Sequence, residues 1–169
     1  AKVTTMADKA DKNAKPTAPA ASPDSGMLAQ VPVVIHAQYI KDLSFENPNP
    51  GLLHDPKGEK PVMDVNFSLE AVPAQSAQHK ALYEVQLGVT VNASRAGQTA
   101  FLAQIVYGLL VSLENVPEEQ HHPLLFIEVP RHGFPFLRQV VSQLTQQGGY
   151  MPLLLAPVDF TALYMQRFG

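Results

Sequence analysis

The chain has 169 residues and a formal net charge of -3, with 16% charged and 46% hydrophobic residues, 15 prolines, no cysteine and no tryptophan. That length suits one domain of ordinary size. The missing cysteines exclude a disulfide framework, a thiolate zinc site, an iron–sulfur cluster and a thiol nucleophile, and the mild acidity provides no overall field to gather phosphate backbones or an anionic membrane surface.

No apolar run approaches the roughly 20 residues of a bilayer span. Residues 1 to 27 hold four lysines, three aspartates, three prolines and no aromatic residue, and lack the apolar core of a secretory signal. Such a segment cannot bury enough apolar surface to offset the entropy of ordering it, so it is expected to be a disordered tail, with the domain spanning 28 to 169. Removing the tail leaves eight basic and twelve acidic residues among 142, while all eight Phe and all five Tyr stay in the body. A body so short of charge is expected to hide apolar surface by self-association or to use it on apolar partners.

The first strand is predicted over 31 to 47, ended by the turn-forming Pro48-Asn49-Pro50-Gly51 and a polar loop reaching Pro61. From Met63 the chain alternates, with Met63, Val65, Phe67, Leu69 and Ala71 on one side and Asp64, Asn66, Ser68 and Glu70 on the other, the pattern of a half-buried strand. After a polar break at 75 to 80 the alternation returns with Tyr83, Val85, Leu87, Val89, Val91 and Ala93. Arg95-Ala96-Gly97-Gln98 reads as a hairpin turn into a fourth strand that is apolar on nearly both faces and so is expected to be covered on both. Pro117, Glu118 and Glu119 suit the start of a short helix, which Pro130 is expected to interrupt. A second helix is predicted from Pro135, with Phe134, Leu137, Val140, Val141 and Leu144 at helical spacing, an uncharged face of Gln139, Ser142, Gln143 and Gln146, and a stop at Gly148. Asp159 caps a short closing helix. Four antiparallel strands in meander order followed by helices give an α+β fold.

Reactive constellations are absent from the sequence. Of the histidines at 36, 54, 79, 121, 122 and 132, only His121 and His122 are neighbours, and adjacent residues on a helix point about 100° apart, so they cannot chelate one ion. The histidines therefore read as surface residues, with no metal and no cofactor expected. There is no nucleophile elbow, phosphate loop or dinucleotide fingerprint, and no paired acids can be placed across a cleft. The expectation is a protein that is not an enzyme.

Three blocks carry a family likeness. They are Gln38 to Asn49 (QYIKDLSFENPN); Tyr83 to Tyr107, in which YEVQLGVTV leads through a turn into TAFLAQIVYG; and VPRHGFPFLRQVV followed by GGYMPLLLAPVDFTALYMQ. Together, over roughly 31 to 167, the chain resembles the SecB protein-export chaperones. The resemblance implies a homotetramer, a dimer of dimers with helices between two sheet layers. Such an assembly holds unfolded presecretory proteins in the cytoplasm and delivers them to the SecA motor ATPase. Carried over by position, the SecA-contacting acidic sheet face falls on Asp42, Glu46, Leu102 and Gln104, where Gln104 replaces a usual acid. The chain ends at Gly169 without the acidic tail through which some members make a second SecA contact. Members often have paired glycines where this chain has Gly108-Leu109, and an apolar pair where it has His132-Gly133. A promiscuous client groove is expected to be lined by Met63, Val65, Phe67, the loop from Pro48 to Pro61, and Phe160, Leu163, Tyr164 and Phe168. The alternative reading is a small oligomeric lipophilic-ligand protein or hotdog-like thioesterase, against which the predicted central helix offers only Arg138 among charged residues.

Overall fold

The computed structural model describes residues 32–169. The tail expected over 1 to 27 and the domain start at residue 28 lie outside the described residues. Within them are β1 (Val34–Glu46), β2 (Val62–Pro73), β3 (Leu82–Arg95) and β4 (Gln98–Ser112), followed by a helical run from residue 118 to 147 and a last helix at Phe160–Phe168.

The four strands form one antiparallel sheet in the order β1-β4-β3-β2. β2, β3 and β4 follow one another as hairpins, but β1 pairs with β4 and not with β2, which corrects the simple meander expected from the sequence. The physical reason is the β1–β2 connection. Its prolines and its length rule out a tight hairpin, so it crosses the end of the sheet and leaves β1 beside β4, a Greek-key arrangement. The β3–β4 turn is as tight as expected. Ala96 and Gly97 have φ values of 52° and 76°, the two positive values that a two-residue hairpin turn of matching twist requires.

Alternation decides which face is buried. Val85, Leu87 and Val91 of β3 and Phe101, Leu109 and Val111 of β4 are fully buried beneath the helices. Each such side chain contributes about 1.5–3 kcal/mol when taken from water. The opposite face of β4 carries Leu102, Val106 and Leu110, which are half-buried. Helices therefore cover β4 on one face only, and the second cover expected from its composition is not supplied by the described residues.

The helical run is continuous, so Pro130 does not interrupt it and Pro135 does not open it. It begins as a 3-10 turn at Glu118–Gln120, continues through α1 (His121–Pro123), widens into a π turn at Leu124–Glu128, and proceeds as α2 (Val129–Gln147). In the π turn the Val129 N–H donates to Leu124 O. The ladder thus changes register just before Pro130, where one missing donor does least harm. Pro135 lies inside α2, a position that costs about 3 kcal/mol by itself. Fully buried Leu137 and Val141 on the same helix offset that cost. Gly148 caps α2, Gly149 turns the chain at φ 90°, and the Asp159 side chain accepts from Ala162 N at 3.0 Å to start α3 (Phe160–Phe168), as expected.

Candidate functional site

A half-open apolar groove of about 320 Å3 lies along edge strand β2. Val65 and Phe67 form one side, Val89 and Phe134 the floor, and residues 153–158 the opposite wall. The wall belongs to a segment between α2 and α3 that makes no strand ladder, because Pro152 and Pro157 lack the donors a ladder needs. It is suspended from α2 instead. Thr145 O accepts from Tyr150 N at 3.1 Å, Thr145 Oγ1 accepts from Leu153 N at 2.9 Å, and Arg138 Nε donates to Leu155 O at 2.8 Å. Leu154 on this wall is 63% exposed and Val65 opposite it 42% exposed, so apolar area is left open to solvent.

The floor rests on three phenylalanines. Phe67, Phe134 and Phe160 have ring centres 5.9–6.1 Å apart in edge-on and tilted arrangements, the packing that aromatic quadrupoles favour. Of the residues expected to line one groove, Val65 and Phe67 do so, and Phe160 is buried beneath it. Met63 lies on the same face of β2 beyond the groove. Leu163, Tyr164 and Phe168 instead surround a nearly filled crevice of about 10 Å3 with Leu69, Phe126 and Arg167. The loop from Pro48 to Pro61 adds no lining residue. Arg95 Nη1 holds it to the sheet end by donating to Leu52 O and Asp55 O at 2.8 Å, and His54 stacks on Tyr150 with ring centres 5.7 Å apart. The 153–158 wall and Phe134 were missed as lining. Their only signal is the alternation of apolar residues with Pro152 and Pro157.

The crevice fastens α3. Tyr164 Oη lies 2.9 Å from His122 Nδ1, Arg131 Nη2 donates to Thr161 Oγ1 at 2.6 Å, and Arg167 Nη1 donates to Leu69 O at 3.0 Å. The Arg167 guanidinium also sits 5.1 Å from the Phe168 ring centre, in cation–π range.

The second candidate surface is the sheet face turned away from the helices. Register places Glu46, Leu102, Asn92 and Asp64 in one row across the four strands, and Ser44, Gln104, Thr90 and Asn66 in the next. Asp42, Glu46, Leu102 and Gln104 therefore share one face, as the family likeness leads one to expect, with strands about 4.8 Å apart. Asp64 and Glu70 of β2 extend the same face.

A polar network crosses it. A Cβ on Gly108 would meet Tyr39 Cε2 at 2.5 Å, so only glycine lets this ring lie across β4. From there Tyr39 Oη donates to Glu84 Oε2 at 2.9 Å, while Lys41 pairs with Glu84 and Gln86 Nε2 donates to Glu84 Oε1 at 2.6 Å. The Lys41 hydrogen bond holds the Glu84 carboxyl below its ordinary range. Burial, the hydrogen bond to Glu84 and its charge push the Tyr39 phenol up to about 12. Lys41 reaches this face because a bulge between Ile40 and Asp42 leaves it unpaired with β4.

Among the described residues no group of three or more His, Asp and Glu side chains is arranged to hold a metal ion. His121 is buried, with Nδ1 3.0 Å from Tyr83 Oη and Nε2 2.9 Å from Val116 O, so it is a core histidine and not the surface residue expected. No described helix is long and apolar enough to cross a membrane.

This arrangement of sheet, long helix and capped last helix has relatives. The family model described as preprotein translocase subunit SecB matches residues 28–169. The chain belongs to the SecB family. It is 41% identical over 130 residues to the protein-export protein SecB of Bartonella bacilliformis, covering 77% of this chain and 79% of the relative. It is 38% identical over 154 residues to that of Hyphomonas neptunium, covering 90% and 89%. Among solved structures, the fold is similar to a SecB-like chaperone of Mycobacterium tuberculosis in complex with a ChAD peptide from the HigA1 antitoxin. The TM-score is 0.58 at 16% identity, over 75% of this chain and 90% of that one. This SecB-family chain is thus a protein-export chaperone, and the groove and sheet face are candidate surfaces for that work.

Proposed function

We propose that the chain captures non-native presecretory polypeptides in the cytoplasm through the groove beside β2, without ATP, and passes them to the SecA motor ATPase bound on the outer sheet face. The working form is a homotetramer, a dimer of dimers. The observation that carries this reading is the open groove between Val65, Phe67 and residues 153–158, apolar on every side. Apolar area with few polar anchors selects for exposed hydrophobic segments and against any one sequence. Folded clients have already buried such segments, so selectivity for non-native chains follows.

Covering a few hundred Å2 of client apolar surface gives several kcal/mol at about 25 cal/mol per Å2 before ordering costs. Grooves on four chains would raise the effective concentration further. The peptide bound to the mycobacterial SecB-like chaperone supports a polypeptide ligand here. SecA docking is drawn to Asp42 and Glu46, flanking Leu102 and Gln104, on a face distinct from the groove. Client and motor can then be held together.

The test is light scattering from a denatured presecretory protein diluted with and without the chain, in the absence of ATP, followed by addition of SecA. Suppressed scattering and SecA co-migration on a sizing column are expected. Unchanged scattering with a monomeric elution position would overturn the reading.

A further inference from the structure

Folding brings together two histidines that lie far apart in the chain. His36 stands near the start of β1 and His79 in the connection from β2 to β3, yet their ring centres are 4.5 Å apart with planes inclined by 45°. One nitrogen of each ring faces another group. His36 Nε2 lies 2.8 Å from Ser112 Oγ at the end of β4. His79 Nδ1, shielded from solvent and without an aligned hydrogen-bond partner, faces Glu114 Oε1 at 3.4 Å. The same carboxylate oxygen lies 3.4 Å from Ala81 N, which places it at the mouth of the connection.

A neutral imidazole carries its hydrogen on one nitrogen and a lone pair on the other. A hydrogen on His79 Nδ1, the nitrogen beside the Glu114 carboxylate, leaves Nε2 free to ligate, and a hydrogen on His36 Nε2 pointing at Ser112 leaves Nδ1 free. Carboxylates and hydroxyls that fix the far nitrogen are the usual orienting partners of metal-bound histidines. With bonds of about 2.0–2.1 Å, two imidazoles on one tetrahedral ion hold their ring centres about 5 Å apart, close to the spacing found. Beside His79 is an open depression of about 630 Å3, lined by residues 74–77, His79 and Lys80, with room for waters on that side of the pair.

We propose that His36 and His79 form a two-histidine site for an imidazole-preferring divalent cation such as Zn2+, oriented by Ser112 and Glu114. A bound ion would tie the β2–β3 connection to β1 across the end of β4. The site stands apart from both the groove and Asp42 and Glu46, so it does not depend on the reading of either.

The experiment is calorimetric titration of the full chain with Zn2+. One ion per chain is expected. His36→Gln and His79→Gln should each weaken binding at least tenfold, and Glu114→Gln about tenfold, while His132→Gln, an exposed site on α2, should bind as the parent does. His79 lies in a connection, so its replacement leaves the strands intact, and circular dichroism checks each variant for folding. Absence of saturable binding, or affinity unchanged in His79→Gln, overturns the proposal.

Discussion

Leu109 Cδ1 stands 2.6 Å from where a Cβ on Gly133 would be, and Leu87 Cδ1 stands 2.9 Å from the same point. Both leucines are fully buried, so neither can swing away, and α2 descends onto the sheet at the one helical residue without a side chain. Leu109 and Gly133, the two positions at which the family likeness leads one to expect a second glycine and an apolar residue, therefore meet at the sheet–helix contact, and an exchange of volume between them is the expectation. Overfilling a packed core costs about 1–3 kcal/mol, so Gly133→Leu should destabilise the fold by at least that much. Leu109→Gly leaves a cavity and should cost about 2–5 kcal/mol, the range of large-to-small core substitutions. The double variant should be clearly more stable than the sum of the two losses allows. Urea unfolding of the four proteins as a double-mutant cycle measures the coupling, and strict additivity would disprove the exchange.

Val65 and Leu154 face each other across the groove and are both exposed, so polar replacements there do little to the fold. Val65→Ser with Leu154→Ser should weaken capture of an unfolded preprotein severalfold while the unfolding midpoint barely moves. Leu163→Ser with Tyr164→Ser acts differently, since it releases α3 from His122 and should lower stability along with capture. Equal effects on both readouts from the two pairs would place the groove elsewhere.

Reversing Asp42 and Glu46 to Lys should weaken SecA binding and spare client capture. Gln104→Glu should strengthen SecA binding by up to about 1 kcal/mol if the restored carboxylate meets a charged donor. Because these groups lie on an exposed face, the change should appear mainly in the association rate and fade with added salt. Surface-plasmon measurements at two ionic strengths decide it.

Tyr39 and Glu84 give opposite pH dependences. The phenol is harder to ionise in the fold than in the unfolded chain, where its ordinary value is near 10. Its stabilisation is complete below pH 10 and disappears as pH rises through about 12. The Glu84 carboxyl is held low, so its contribution is present above the ordinary carboxylate range and is lost as pH falls below it. Tyr39→Phe should flatten the loss of stability between pH 10 and 12 and remove the last phenol to ionise in an ultraviolet titration. Retention of that late transition would contradict the assignment.

Much of this was legible in the sequence, because period-two alternation reports directly which side of a strand is buried. Val85, Leu87 and Val91 follow it, as do the hairpin turn at Ala96-Gly97 and the Asp159 cap. Alternation says nothing about which strand lies alongside, so the pairing of β1 with β4 had to come from the fold. The prolines misled for a related reason. Pro130 announces a break only if the ladder before it is regular, and the π turn at Leu124–Glu128 makes it irregular, whereas Pro135 sits inside regular α2 and is tolerated there because Leu137 and Val141 are buried. The groove was half visible: Val65 and Phe67 carry a strand period, whereas the wall from Leu153 to Val158 has none and owes its place to Thr145 and Arg138.

That suspended wall sets the order in which the molecule comes apart. Residues 150–169 share no ladder with the sheet and are held by the Tyr150–Thr145 backbone bond, by side-chain bonds of Thr145, Arg131, Arg138, Arg167 and His122, and by the buried rings of Tyr150 and Phe160. Segments attached in this way open at a fraction of the global free energy. Amide exchange should therefore run faster in the last twenty residues than in β3 and β4, which stay protected. A long client could then enter from the side as the flap lifts, with the sheet remaining a rigid platform throughout.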